Sequence, residues 1–313
     1  MNKSDFTREE IAAILGDRDV PGGSARISQK LLEHFSERHH LELTELVRFE
    51  EVAIRSTSIA NILINDAYAN LSDSDLSDPA IGLLLNLLHR NFEHVEAAIV
   101  LFVTGCGASS EVTARAALES SINLLYILTG DRWERLKSYF HHYLDSVDRQ
   151  VKSWKVEVSD LPPEAAALHQ QSADMRMRAN LALRSLLLSI TGDGEIEAWP
   201  RTIQQRFQKI GKAISYRTIY ARMSAETHAD AEETLRYFVG KLQGDAELFE
   251  AMALETVWMT RLHVYYATSW FLKASIAYAM SYNLSTLTAR LKQELESVDG
   301  ALAEISTHVG AGI

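Results

Sequence analysis

The stretch of this chain richest in reactive side chains runs Tyr216-Arg217-Thr218-Ile219-Tyr220-Ala221-Arg222-Met223-Ser224-Ala225-Glu226-Thr227-His228-Ala229-Asp230. On a continuous α-helix each residue advances about 100°, so Arg217, Tyr220, Ser224 and His228 fall along one face. A cation, two hydroxyls and an imidazole then occupy a stripe that would ordinarily be apolar. Such a row can donate, accept and exchange protons, the imidazole near neutral pH. Arg222 and His228 stand about 120° apart on the same ideal helix. They converge only if the helix breaks near Ser224-Ala225 or a second subunit supplies one of them. The plainer alternative is a structural histidine bonded within a helix junction.

A second constellation is Arg115-Ala116-Ala117-Leu118-Glu119, whose charged ends are i, i+4 neighbours with Ile122 and Tyr126 continuing their stripe inward. This is either a partly buried ion pair that fixes helix register or, in a sharper reading, a carboxylate that orients His228 from a facing helix. Metal chemistry is the other enzymatic candidate. His89, Glu93 and Glu96 share one helical stripe, and His141, His142, Asp145 and Asp148 form a further cluster. A di-iron bundle needs Glu-x-x-His from two helices. Glu37-Arg38-His39-His40 offers one copy without a convincing second, and no H-E-x-x-H zinc spacing occurs. The sequence also carries no P-loop, dinucleotide-binding glycine fingerprint or nucleophile elbow.

The arginine and histidine of the first segment, with five residues between them, resemble the arginine–histidine motif of HEPN helical ribonucleases. The same motif, which admits four to six intervening residues, also joins Arg135 to both His141 and His142, and Tyr220 and Ser224 single out the later pair. The chain also resembles an uncharacterised bacterial all-helical group, domain-of-unknown-function family 5677. That likeness rests on the R-x-x-x-E helix at Arg115 and Glu119 and the Y-x-x-x-S-x-x-x-H segment at Tyr220, Ser224 and His228, and covers roughly residues 80 to 280. Met223 stands where HEPN nucleases commonly carry a polar residue. The resemblance implies metal-independent RNA cleavage without a cofactor. His228 would move a proton to or from ribose or leaving oxygen, and Arg222 would hold the phosphate and its growing charge. It further implies a site assembled in a homodimer, RNA bound locally, and the setting of a bacterial defence or toxin effector. The competing expectations are a non-catalytic scaffold that binds partner helices and a metal-binding helical-bundle enzyme.

Helical periodicity supplies the frame for these residues. Thr7-Arg8-Glu9-Glu10 reads as a capping box. After Pro21-Gly22-Gly23, Ser24 opens a segment running toward Leu71 with a kink near His39–Leu43. Asp78-Pro79 starts a helix whose Leu85, Leu88, Phe92, Val95, Ile99 and Phe102 form a buried seam. Ser109 or Ser110 caps the next helix, which ends near Leu128. A helix from Trp133 to Trp154 follows, and Leu161-Pro162-Pro163-Glu164 reads as the clearest internal boundary. A helix reaches from there to Ile190, and Pro200 opens another through Ile214. The aromatic-rich helix from Asp245 carries Trp258, Tyr265, Tyr266, Trp270, Phe271 and Tyr278, and its rings suggest core packing or an oligomer interface. A last helix spans Thr286 to His308. The pattern predicts an all-α, multi-helix bundle with long antiparallel helices, divided into an N-terminal extension over 1–78, a core over 79–283 and a C-terminal helix and tail over 284–313.

Composition narrows the function classes. A net charge of −11 argues against nonspecific coating of nucleic acid, which depends on many basic contacts, while leaving room for a local phosphate site. The most apolar stretch, Val257 to Tyr282, is interrupted by Arg261, His263 and Lys273, so no membrane span is expected. One cysteine, Cys106, excludes an intramolecular disulfide and, with no signal sequence at the start, points to a cytoplasmic protein.

Overall fold

The computed structural model describes residues 23–71, 77–192, 194–226, 235, 238–242 and 246–308, and none of these lies in a strand. The chain is all-α. In order its helices are α1 (Gly23–Arg38), α2 (Glu45–Phe49), α3 (Glu51–Ala69), α4 (Pro79–Val103), α5 (Gly107–Leu128), α6 (Arg132–Val158) and α7 (Pro163–Thr191). Then come α8 (Ile203–Lys209), α9 (Ala213–Ser215), a π-helical turn (Tyr216–Tyr220), α10 (Ala221–Glu226), α11 (Ala246–Ser281) and α12 (Ser285–His308). The capping box at Thr7–Glu10 lies outside the described residues. Two compact units form: Met1–Leu128 with Ile203–Ile313, and Thr129–Thr202.

In the first unit α11 is the spine. Between Met259 and Ala279 it buries residues on every side, as a helix enclosed by others must, and it packs against α3, α4, α5 and α12. The aromatic run is therefore core, with Tyr265, Trp270, Phe271 and Tyr278 all buried. α4 contributes the seam expected of it: Leu85, Leu88, Phe92, Val95, Ile99 and Phe102 are buried. Asp78 caps that helix through its carboxylate, which accepts from Ala80 N at 2.9 Å, with Pro79 at the first position.

Three helix boundaries differ from the sequence reading. The segment from Ser24 to Leu71 is three helices, broken at His40, whose φ is 54°, and again at the buried Glu50. α5 starts at Gly107 rather than after a serine cap. Ser110 is buried in its first turn and donates to Ala98 O at 2.7 Å, satisfying a neighbouring helix instead of its own amides. Pro200 does not open a helix through Ile214. α8 begins at Ile203 and ends before Gly211, whose φ of 72° and Lys212 N→Phe207 O bond of 2.8 Å close the helix in a Schellman turn.

In the second unit α6 and α7 pack as an antiparallel hairpin. Val147 and Val151 on α6 meet Ala173 on α7, with Trp154 and Met177 flanking them. Leu161-Pro162-Pro163, read as an internal boundary, is the tight turn of this hairpin within one unit.

Candidate functional site

α5 presents Arg115 and Glu119 one turn apart, with Arg115 Nε 3.0 Å from Glu119 Oε1. α5 packs against α8 and α10, and the chain between those helices delivers Tyr220 to the pair. The Tyr220 hydroxyl donates to Glu119 Oε1 at 2.7 Å and accepts from Arg115 Nη2 at 2.9 Å. Two motifs a hundred residues apart thus close into one cluster, in which the phenol is both donor and acceptor.

A π-turn positions the phenol. Ala221 N bonds Tyr216 O, so the turn holds one residue more than α-helical geometry. Its rings pack tightly: Tyr216 stacks on Tyr220 at 5.4 Å, and both sit against fully buried Phe207, whose ring meets Trp270 edge-on at 5.6 Å. Ile219 and Met223 anchor the same segment in the core. The buried Met223 explains why this position holds an apolar residue.

Burial, then the hydrogen bond to Glu119, pushes the Tyr220 phenol up to about 12, so it keeps its proton at neutral pH and works as a donor. Burial alone would lower Arg115, but its bonds to Tyr220 and Glu119 outweigh that and hold it above its ordinary value. The Glu119 side chain remains 36% exposed, which leaves the cluster open to solvent.

The remaining candidates distribute differently. Arg217 and Arg222 are exposed, and neither joins the hydrogen-bonded cluster. Ser224 is half-buried on α10. His228 lies outside the described residues, as does any contact of Glu119 with it. Several members of the candidate metal groups are paired elsewhere. His89 Nε2 lies 2.7 Å from Asn65 Oδ1, Glu96 pairs with Arg38, and Arg184 holds Asp145 at 2.8 Å and Asp148 at 3.7 Å. Among the described residues no group of three His, Cys, Asp or Glu comes together to hold a metal ion.

Sequence reasoning missed the polar pins of the core. Arg261 Nε meets Glu50 Oε1 at 2.6 Å, and its guanidinium lies over the Phe49 and Trp258 rings at 4.4 and 4.6 Å. Burial pushes the Glu50 carboxyl up, and Arg261 and Tyr265 pull it back only in part. Beside it, Thr260 donates to Glu111 at 2.7 Å, with His263 Nδ1 3.5 Å away. The signal was available, since Arg261 and His263 interrupt an otherwise apolar run, but their partners are far away in sequence.

The fold and this cluster define an all-helical protein with an Arg–Glu–Tyr cluster set on a π-turn. The chain belongs to a family of unknown function, DUF5677, whose model matches residues 82–246. That span runs from α4 to the start of α11, takes in the whole cluster, and ends short of residue 280. No curated protein and no solved structure matches the chain. Among the described residues no helix is long and apolar enough to cross a membrane.

Proposed function

We propose that this chain is a HEPN-like, metal-independent ribonuclease whose site is built from Arg222, His228, Ser224 and the Arg115–Glu119–Tyr220 cluster. The observation that carries this reading is the hydrogen-bonded meeting of Arg115, Glu119 and Tyr220. An ion pair needs no phenol to fix helix register, and a π-turn is a costly way to supply one. The arrangement suits holding the segment with Arg222 and His228 in a fixed register. Arg222 would bind the scissile phosphate, and His228 would exchange a proton with the ribose 2′-hydroxyl or the leaving oxygen. Tyr220 and Glu119 act as positioning residues. The working form in this reading is a homodimer, and the setting is a bacterial defence or toxin effector in the cytoplasm.

Purified protein incubated with RNA in EDTA is expected to cleave it, and His228→Ala and Arg222→Ala are each expected to abolish cleavage. Activity persisting in both variants would eliminate the site.

One observation favours a second reading, a non-catalytic interaction protein. Leu168, Met175, Leu183, Leu186 and Ile190 of α7 are all more than half exposed and fall on one side of the helix.

A further inference from the structure

We propose that the cleft of the second unit is a binding site for a small organic phosphate of about mononucleotide size. The cleft lies between one face of α6 and the loop at residues 196–201, and its volume of about 580 Å³ falls within the range that holds metabolite-sized ligands. It is distinct from the Arg115–Glu119–Tyr220 cluster and uses none of its residues.

Charge bookkeeping within the cleft identifies the ligand chemistry. Its acids are Asp145, Asp148 and Glu197; Asp145 and Asp148 face Arg184, and Asn180 Nδ2 donates to Asp148 at 2.7 Å. Three cations line the same cleft. Arg149 and Lys152, one turn apart on α6, and Arg201 on the facing loop line the cleft, are exposed, and form no ion pair among the described residues. Three exposed cations thus face one concave surface. Guanidinium and ammonium groups bind phosphate oxygens through short, charge-assisted hydrogen bonds, and arginine can do so in a bidentate manner.

The remaining wall suits an organic body. Ile196, Ala198 and the buried Trp199, whose ring meets Tyr139 edge-on at 5.1 Å, form its less polar side. His141 also lines the cleft, with its Nε2 enclosed and without a hydrogen-bond partner. Burial, then the charge of Arg184, holds that imidazole below its ordinary value, so it is neutral at physiological pH.

The test is calorimetric titration of the full chain with AMP, using adenosine and pyrophosphate as comparators. AMP is expected to bind saturably, pyrophosphate to compete with it, and adenosine to produce no saturable signal. Arg149→Ala/Lys152→Ala and Arg201→Ala are each expected to weaken AMP by about tenfold or more, the effect of losing a charge-assisted contact. Arg178→Ala, which removes an exposed α7 cation outside the cleft, is expected to bind as wild type. So is Arg222→Ala, which separates this site from the proposed nuclease. These are exposed positions, so a wild-type melting temperature confirms that each variant is folded. Absence of saturable AMP binding, equal binding of adenosine, indifference to the cleft variants, or a response to an RNA oligonucleotide alone would overturn the proposal.

Discussion

At the scale of the residue, Tyr220 and Arg261 show opposite ways of placing a polar group inside helices. Tyr220 bridges an ion pair that retains some solvent access. Tyr220→Phe leaves Arg115 and Glu119 paired at 3.0 Å, and water can replace the lost hydroxyl. Its expected cost is therefore modest, about 1–2 kcal/mol, read from the shift in urea midpoint. Arg261 and Glu50 form a sealed pair, with side-chain exposures of 8% and 0%. Arg261→Met strands a buried carboxylate and is expected to cost about 3–5 kcal/mol, much of it recovered by adding Glu50→Leu. The pH dependence has a definite sign. Burial raises the folded-state affinity of Glu50 for its proton, so its contribution is full below the ordinary carboxyl range and is lost as pH rises through the raised value. Arg261→Met removes the charge that pulls Glu50 back, so its deficit is expected to shrink as pH is lowered and Glu50 takes up a proton. A constant deficit would mean that Glu50 does not change its ionisation over the range measured. The parts of the cluster were legible in the sequence separately. Arg115 and Glu119 were visible as a pair, and Tyr220 as part of a stripe. That they share one oxygen depends on helix register across a hundred residues, which local patterns do not encode.

At the scale of the element, helices whose ends are governed by local chemistry were legible and those governed by tertiary contacts were not. Asp78-Pro79 combines a capping carboxylate with a proline at the first position, and α4 starts there. Pro200 carried the same promise. It is buried beside Trp199, and α8 begins three residues later. The π-turn left no trace in sequence, because Tyr216 to Tyr220 are ordinary helix residues and the wider turn is held by packing of their rings on Phe207. Gly211 separates α8 from this segment at φ 72° with open space around it. Gly211→Ala is accordingly expected to cost about 1 kcal/mol from backbone strain alone. A much larger loss in the denaturation midpoint would place an unseen contact at that turn.

At the scale of the whole molecule, composition and periodicity settled the all-α class, whereas function rests on how distant residues converge. The two readings of function make different demands on the surface. If α7 docks a partner helix, Leu183→Glu/Leu186→Glu is expected to leave stability within about 0.5 kcal/mol, since both side chains face solvent. The same variant should lose any self-association seen by sedimentation of the wild type. Unchanged sedimentation would remove the case for α7 as a docking face between copies.

The most direct test of the cluster is the single-turnover rate of RNA cleavage in EDTA by Tyr220→Phe, measured well below its melting temperature. The expected result is cleavage by the wild type and a rate lower by about tenfold or more in the variant, as for a lost charge-assisted hydrogen bond that positions a reacting group. A wild type that leaves RNA intact, or a variant that cleaves at the wild-type rate, would reduce Arg115, Glu119 and Tyr220 to a brace between helices.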